Sequence, residues 1–354
     1  MTTLREIAER VGVSISTVSR VINQDDSRRI SDETKQKIWK VAKEMDYRSS
    51  RRAKSYRPGA KRGREHASKL PVIGCIVALQ DNKYNHPYFS PIIQGMEAKL
   101  LESGLTLSFL HTQAELKNEV LFNTLLDTRG LSGLICIEGL TSSLYKRLKE
   151  RVPVIVGIDV NDSEIPIISY DRMSAAHTAV KHLIELGHQD IGFIGGTGLS
   201  GKLVREKRFA GYRRALEEYQ LPYQEQWTIN SHWDADESYE QMKALLMAAE
   251  RPTAMFCASD MMAIAAMRAV TEAGLSIPRD ISFIGIDDIE FSKYTTPPLS
   301  TIHIPKYEMG YAAAKTLLDS LEDPYPFAFR MQLPFKLITR SSVTRVEAMS
   351  VGQV

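Results

Sequence analysis

From Val72 onward the chain keeps repeating one unit: a short, strongly apolar run, a polar turn, then a segment with helical periodicity. The apolar runs are VIGCIVAL (72–79), LTLSFLH (105–111), GLICIE (133–138), VPVIVGID (152–159), DIGFIGG (190–196), TAMFCAS (253–259) and ISFIGID (281–287). Helical stretches such as IIQGMEAKLLESG (92–104), MSAAHTAVKHLIELG (173–187) and MMAIAAMRAVTEAG (261–274) lie between them. Strands that are apolar along their whole length are buried on both faces, which is the signature of a parallel sheet covered by helices. More than roughly 200 residues of this pattern exceed one comfortable core, so two α/β lobes are expected.

In open parallel sheets, ligands sit beyond the carboxyl ends of the strands. Acids and a hydroxyl cluster there: Glu138, Asp159, Ser259 with Asp260, and Asp287 with Asp288. A single acid at a strand end serves equally well as a cap for the next helix. Several together suit sugar hydroxyls, because a carboxylate only accepts hydrogen bonds. Arg208, after the GFIGGTG turn, would supply donors to ring and hydroxyl oxygens. Trp233, in the polar loop NSHWDADES, reads as a stacking platform or a small-cluster anchor. Tyr88 and Phe89 read as a second aromatic wall or as cover for the next helix.

The first 70 residues differ in kind, carrying 18 Lys and Arg against 9 Asp and Glu; the remainder carries 27 against 34. A basic head on an acidic body points to a polyanion-binding segment joined to a separate module. Leu4, Ile7, Ala8 and Val11 form an amphipathic helical face, and Gly12 ends that helix. Ser14 is a candidate N-cap for a second helix that buries Val18, Val21 and Ile22. A third, from about Asp32 to Met45, closes the small core with Ile38, Val41, Ala42 and Met45. This is helix–turn–helix geometry. Ile15, Ser16, Ser19 and Arg20 point outward. Ser14 and Thr17 suit phosphates, Arg20 suits a guanine edge, and Ile15 suits a thymine methyl. A small helical hairpin with a solvated face is the plainer alternative.

The segment TLREIAERVGVSISTVSRVIN resembles the DNA-binding head of the lactose/galactose repressor (LacI/GalR) family. The resemblance implies that Ile15, Ser16 and Arg20 read bases, and that Thr17, Ser19 and Asn23 contact the DNA backbone. It further implies a hinge helix ordering on DNA, where the sequence keeps Ala53, has Lys54 for an arginine and Tyr56 for the wedging leucine. The longer, basic stretch from Arg57 to Lys69 reads as a linker that adds phosphate contacts. The body matches too, in NHPYFSPIIQGME, HLIELGHQDIGFIGG, RFAGYRRAL, TAMFCASDMMAIAAMRAV and ISFIGIDDIEFSKYTTPPLSTI. The family implies a two-lobed α/β core like periplasmic sugar-binding proteins, with three crossovers, here near Tyr170–Arg172, Asp287–Glu290 and Asp319–Pro326. The expected division is a helix–turn–helix domain at 1–47, a hinge and linker at 48–70 and a core at 71–354. Its first lobe takes in 71–170 and 290–320, and its second 171–289 and 321–345. Ligand contacts carried over are Tyr88, Phe89, Asp159, Arg208, Trp233, Ser259 and Asp287, with Glu138 added from its strand end. Ser259 stands where some sugar-binding members have asparagine, and Lys306 replaces an apolar or aromatic wall residue. Arg205 and the unusual hinge resemble a galactoside- and galactan-responsive subgroup.

The expected function is a ligand-controlled repressor of carbohydrate-utilisation genes, cytoplasmic and nucleoid-associated. It binds operator DNA as a homodimer, since one helix–turn–helix reads a half-site. The tail after Thr344 shows no leucine heptads, which favours a dimer over a tetramer. Alternatives are a purine-responsive regulator, a sugar-binding module without regulatory output, and an α/β enzyme. The last lacks support: G-x-S-x-G and H-E-x-x-H do not occur, and GFIGGTG has the wrong spacing for a dinucleotide loop. No cofactor or metal is implied. His86, His182, His188 and His303 are scattered and read as surface or capping residues. Cys75, Cys136 and Cys257 read as buried hydrophobes in a reducing compartment. Neither a signal peptide nor a membrane-length apolar run is present.

Overall fold

The structure, a computed structural model, describes residues 4–14, 17–18, 21, 30–45, 70–78, 84–127, 130–198 and 200–346. The chain divides into two compact units, Met1–Ala67 and Ser68–Val354. In the first, α1 (Leu4–Val11) and α2 (Asp32–Glu44) flank a turn and further helical residues at Thr17, Val18 and Val21. Ile7, Ala8, Val18, Val21 and Ile38 form its core, with Val11, Val13, Ile30, Val41 and Met45 packed around them. Gly12 ends α1 at φ +76°, where its N–H and that of Val13 both reach Ala8 O. Ser14 does cap the next turn: the Thr17 N–H donates to its Oγ at 3.2 Å, and the two hydroxyls bond at 2.8 Å. Of the readings made on the head, Ile15, Ser16, Ser19, Arg20, Asn23, Ala53, Lys54 and Tyr56 lie outside the described residues.

The second unit contains two six-stranded sheets. The first holds β1 (Val72–Val77), β2 (Phe109–Thr112), β3 (Leu131–Ile137), β4 (Val154–Ile158), β5 (Ile167–Ser169) and β11 (Arg330–Gln332). The second holds β6 (Ile191–Gly195), β7 (Thr228–Asn230), β8 (Ala254–Cys257), β9 (Ser282–Asp287), β10 (Ser300–His303) and β12 (Lys336–Ile338). The orders are β11-β5-β4-β3-β1-β2 and β12-β10-β9-β8-β6-β7. Every pairing is parallel except β10 with β12. The helices between them are α3 (Phe89–Glu102), α4 (Glu119–Asp127), α5 (Ser142–Arg151), α6 (Arg172–Glu185), α7 (Lys207–Glu218), α8 (Ala235–Leu246), α9 (Asp260–Glu272) and α10 (Lys306–Glu322). In the first lobe α10 lies on α3, and only glycine allows that approach. A Cβ at Gly95 would stand 2.0 Å from Tyr307 O, and one at Gly310 would stand 1.9 Å from Ile92 O.

Two of the three expected crossovers are corrected. The first falls at Tyr170–Asp171, between β5 and α6. The second is at 304–305, not Asp287–Glu290, because β10 continues the parallel ladder on β9 and holds the chain in the second lobe through His303. The third is at 333–335, not Asp319–Pro326, because β11 pairs with β5 of the first lobe before β12 pairs with β10 of the second. Residues 290–303 therefore belong to the second lobe and β11 to the first. Strands β11 and β12 have three residues each, too few for periodicity to show.

Candidate ligand-binding cleft

In both sheets the strand order reverses beside the first strand, at β1/β3 and at β6/β8. A crevice must open outside the carboxyl ends at such a reversal, since the connecting helices leave to opposite faces. The two crevices form one cavity of about 230 Å³. Ala78 and Glu138 reach it from the ends of β1 and β3, and Gly198 and Ser259 from those of β6 and β8. Tyr88, Phe89, Glu138, Arg208, Trp233, Ser259 and Asp287 all line it. Asp159 does not. It lies behind, ion-paired to Arg172 at 3.2 Å.

Positive φ marks the same place. Glu138 (64°), Asp159 (56°), His232 (51°), Trp233 (67°), Asp287 (124°) and Asp288 (49°) are left-handed without being glycine. Such residues cost on the order of 1–3 kcal/mol each and persist where surrounding contacts over-determine them.

Helix starts aim the charged groups. Asp171 caps α6 by accepting from Ser174 N at 3.0 Å, which makes Arg172 the first residue of that helix. Arg172 then crosses to the first lobe, bonding Glu138 at 2.5 Å. Burial alone would raise the pKa of Glu138, but Arg172 and then Arg208 hold it below the usual carboxylate range. Burial leaves Asp159 above that range, with Arg172 opposing. Glu206 caps α7 through Arg208 N (2.7 Å) and Phe209 N (2.9 Å), and its other oxygen takes Arg208 Nε at 2.9 Å. The Arg208 guanidinium lies 4.1 Å over the Trp233 ring, and Trp233 Nε1 donates to Thr197 O at 3.0 Å. One face of the indole is thus already covered. Ser259 caps α9 through Met261 N at 3.2 Å.

Asp287 is buried, and desolvation, then the nearby charge of Asp260, pushes its pKa up to about 8. Asp260 itself is fully engaged with Ile289 N, Ser292 Oγ and Thr301 Oγ1. Asp288 is held by Arg340 and His303. These two strand-end acids are structural. Lys306 is not part of the cavity wall. Its ammonium is turned onto the carbonyls of Asp287, Asp288 and Ile304, where the lobes join. Arg205 sits in a turn outside the cavity lining.

His188 is buried, not on the surface. It bonds Thr253 Oγ1 and Thr344 O at 3.0 Å each, tying the tail to the second lobe. His86 lines the cavity. Sequence reasoning missed Arg172 and Glu206 as members of the site. The available signal was a helix start directly after a crossover, in the one case, and a carboxylate two residues before Arg208, in the other. Among the described residues no group of His, Cys, Asp or Glu is placed to hold a metal ion, and no helix is long and apolar enough to cross a membrane.

Residues 3–50 match the model of bacterial regulatory proteins of the lacI family, and residues 180–343 match a periplasmic binding protein-like domain. The chain is 30% identical over 350 residues to the HTH-type transcriptional repressor PurR of Aliivibrio salmonicida, covering 98% of this chain and all of that protein. It is 32% identical over 355 residues to PurR of Haemophilus influenzae, again across 98% of this chain and all of the relative. The chain belongs to the LacI family. Among solved structures it resembles a CelR–cellobiose complex (26% identity, 97% of this chain and 100% of that one, TM-score 0.69). It also resembles a lac repressor dimer bound to operator and the anti-inducer ONPF (27%, 97% and 99%, 0.69). As a LacI-family member, the protein is a DNA-binding transcriptional repressor controlled by a small ligand. The family's members are non-enzymatic regulators.

Proposed function

We propose that this repressor responds to a sugar held between its lobes, a galactoside or an oligosaccharide, and controls genes for its use. The carrying observation is the cavity at the two strand reversals. Glu138, Arg172, Glu206, Arg208, Ser259 and Asp287 bring donors and acceptors to it from both lobes. Polar groups arriving from many directions suit a ligand with hydroxyls around its whole perimeter. Arg208 and Asp287 orient the ring, Tyr88, Phe89 and Trp233 contact its apolar edges, Glu138 and Ser259 bind hydroxyls, and Asp159 acts from behind through Arg172. A ligand that binds one lobe arrangement more tightly shifts the population toward it.

Operator binding falls to the head as a homodimer, at the nucleoid in the cytoplasm. Ile15, Ser16 and Arg20 read bases; Ser14, Thr17, Ser19 and Asn23 hold the backbone; Ala53, Lys54 and Tyr56 belong to the hinge. Arg20→Ala should lose about 1–3 kcal/mol of operator discrimination while nonspecific binding declines far less. Equal losses on operator and random DNA would remove its base-reading role.

A purine effector is the second reading, favoured by the PurR relatives. A thermal-shift panel of galactose, lactose, cellobiose, ribose, hypoxanthine and guanine separates the two. A ligand at 100 times its Kd adds about 2.7 kcal/mol of stability. The sugar reading predicts stabilisation by a saccharide; stabilisation by the purine bases alone rejects it.

A further inference from the structure

Two of the crossovers begin in the same way. The chain leaves the first lobe at Tyr170–Asp171, and α6 opens with Arg172. It returns at 304–305, and α10 opens with Lys306. Each cation is the first residue of the helix after its crossover, and each reaches back to the lobe the chain has just left. Arg172 bonds Glu138 of the first lobe at 2.5 Å and pairs with Asp159 at 3.2 Å. Lys306 donates to Asp287 O and, at 3.4 Å, to Asp288 O of the second lobe, and to Ile304 O at 3.3 Å in the crossover itself. An ammonium carries three donors, so these three carbonyls use it completely. Lys306 is buried; burial pushes its pKa down, and the charges of Asp287, Asp260 and Asp288 oppose that.

The carbonyls are presented by strained backbone. Asp287 and Asp288 stand at φ 124° and 49°, and residues in such conformations persist where contacts over-determine them. Lys306 supplies one of those contacts from the other lobe. The two cations differ in what else they face. Arg172 lines the ligand cavity, whereas Lys306 lines a separate hollow of about 730 Å³, with Tyr84 and Pro87 of the first lobe and Phe291 and His303 of the second.

We propose that Lys306 and Arg172 are reciprocal clasps across the lobe junction, with Lys306 the positioning residue that sets the balance of lobe arrangements without touching the effector. Parting the lobes at this junction takes Lys306 away from Asp287 O and Asp288 O and leaves buried groups unpaired on both sides. The observed arrangement is therefore favoured before any ligand arrives. A ligand in the cavity can strengthen or compete with the Arg172 clasp. The Lys306 clasp is out of its reach and acts as a constant bias. Such a bias scales the apparent affinity of every effector alike, through the fraction of protein in the binding-competent arrangement. It holds for a saccharide or a purine, so it stands apart from the choice between them.

The test reads the distance between the lobes in the full-length, ligand-free protein. Spin labels are placed at Glu150→Cys in the first lobe and Glu250→Cys in the second, both exposed positions, whereas Cys75, Cys136 and Cys257 are buried. Labelled chain is diluted in an excess of unlabelled chain, so that double electron–electron resonance reads pairs within one chain. Lys306→Met removes the donors and should raise the share of a second interlobe distance, relative to the wild-type one, at least about tenfold, the worth of a hydrogen bond to a charged group. Lys306→Gln keeps two donors and should move the balance the same way by less. Arg340→Met is the control, because Arg340 bonds Asp288 and Leu299 O wholly within the second lobe. It should lower the melting temperature and leave the interlobe distance unmoved. Distance distributions of Lys306→Met and Lys306→Gln that superimpose on the wild type's overturn the clasp. So does a shift in Arg340→Met as large as that in Lys306→Met, since any lost contact would then part the lobes. Failure of both Lys306 variants to fold overturns it too, by assigning the ammonium to the stability of the fold.

Discussion

The two ends of the cleft are built on the same strand order but finished differently. At the second-lobe end Glu206, Arg208 and Ser259 find their partners within that lobe. Glu206 both caps α7 and grips Arg208, Arg208 covers Trp233, and Ser259 caps α9. At the first-lobe end Glu138 and Asp159 depend on Arg172 reaching over from the other lobe, and two tyrosine hydroxyls have no partner. One end is preorganised and the other is completed by whatever holds the lobes together. A ligand bound between them thus meets a rigid anchor and a conditional one, which is what coupling binding to lobe position requires.

The largest effect that would break this contrast is at Glu206. Glu206→Ala leaves Arg208 buried without its carboxylate and also removes a helix cap, so a loss on the order of 3–5 kcal/mol is expected in urea unfolding. A loss under about 1 kcal/mol would show that the second-lobe end is not preorganised by this pair.

Next is the pH response of Asp287. Its folded pKa of about 8 lies above the unfolded value of about 3.9, so the folded state keeps a proton that the unfolded chain releases. The contribution of Asp287 to stability should therefore fall as pH rises from about 4 to 8. Asp287→Asn carries no such proton, and its melting temperature should gain on the wild type steadily over that range. Parallel curves for the two proteins would place Asp287 in a more solvated setting than its burial implies.

Ser259→Ala removes an N-cap and should cost about 1 kcal/mol in thermal unfolding. Smallest is Glu138→Gln. Glu138 is more exposed than Glu206, and Asp159 still faces Arg172, so the expected loss in ligand-free unfolding is below about 1 kcal/mol. A Glu138→Gln loss equal to that of Glu206→Ala would erase the difference between the two ends.

Much of the cleft was legible beforehand because of where parallel strands stop. Glu138, Ser259 and Asp287 end apolar runs, and that position alone directs them to a common crevice. Arg208 and Trp233 were legible as isolated polar or aromatic residues near such ends, but their mutual stacking was not. Arg172 was hidden by its ordinary context at the start of a helix. Its importance comes from Glu138 and Asp159, 34 and 13 positions earlier, which only sheet pairing brings beside it. The crossovers were misplaced for the same reason: β10 and β11 are defined by the partners they find, not by their own few side chains.

Local pattern by itself determined the class of the molecule: a small capped helical head, a doubly wound body of buried parallel strands, and acids at the strand ends. Those follow from short-range preferences for burial, capping and turns, which act within a few residues. Which lobe owns β10 and β11, that Arg172 spans the gap, that Lys306 turns away from the cleft, and which buried hydroxyls stand unpaired were decided by the tertiary structure. Each depends on the meeting of groups far apart in the chain, where the energy of a contact is set by what else is buried beside it.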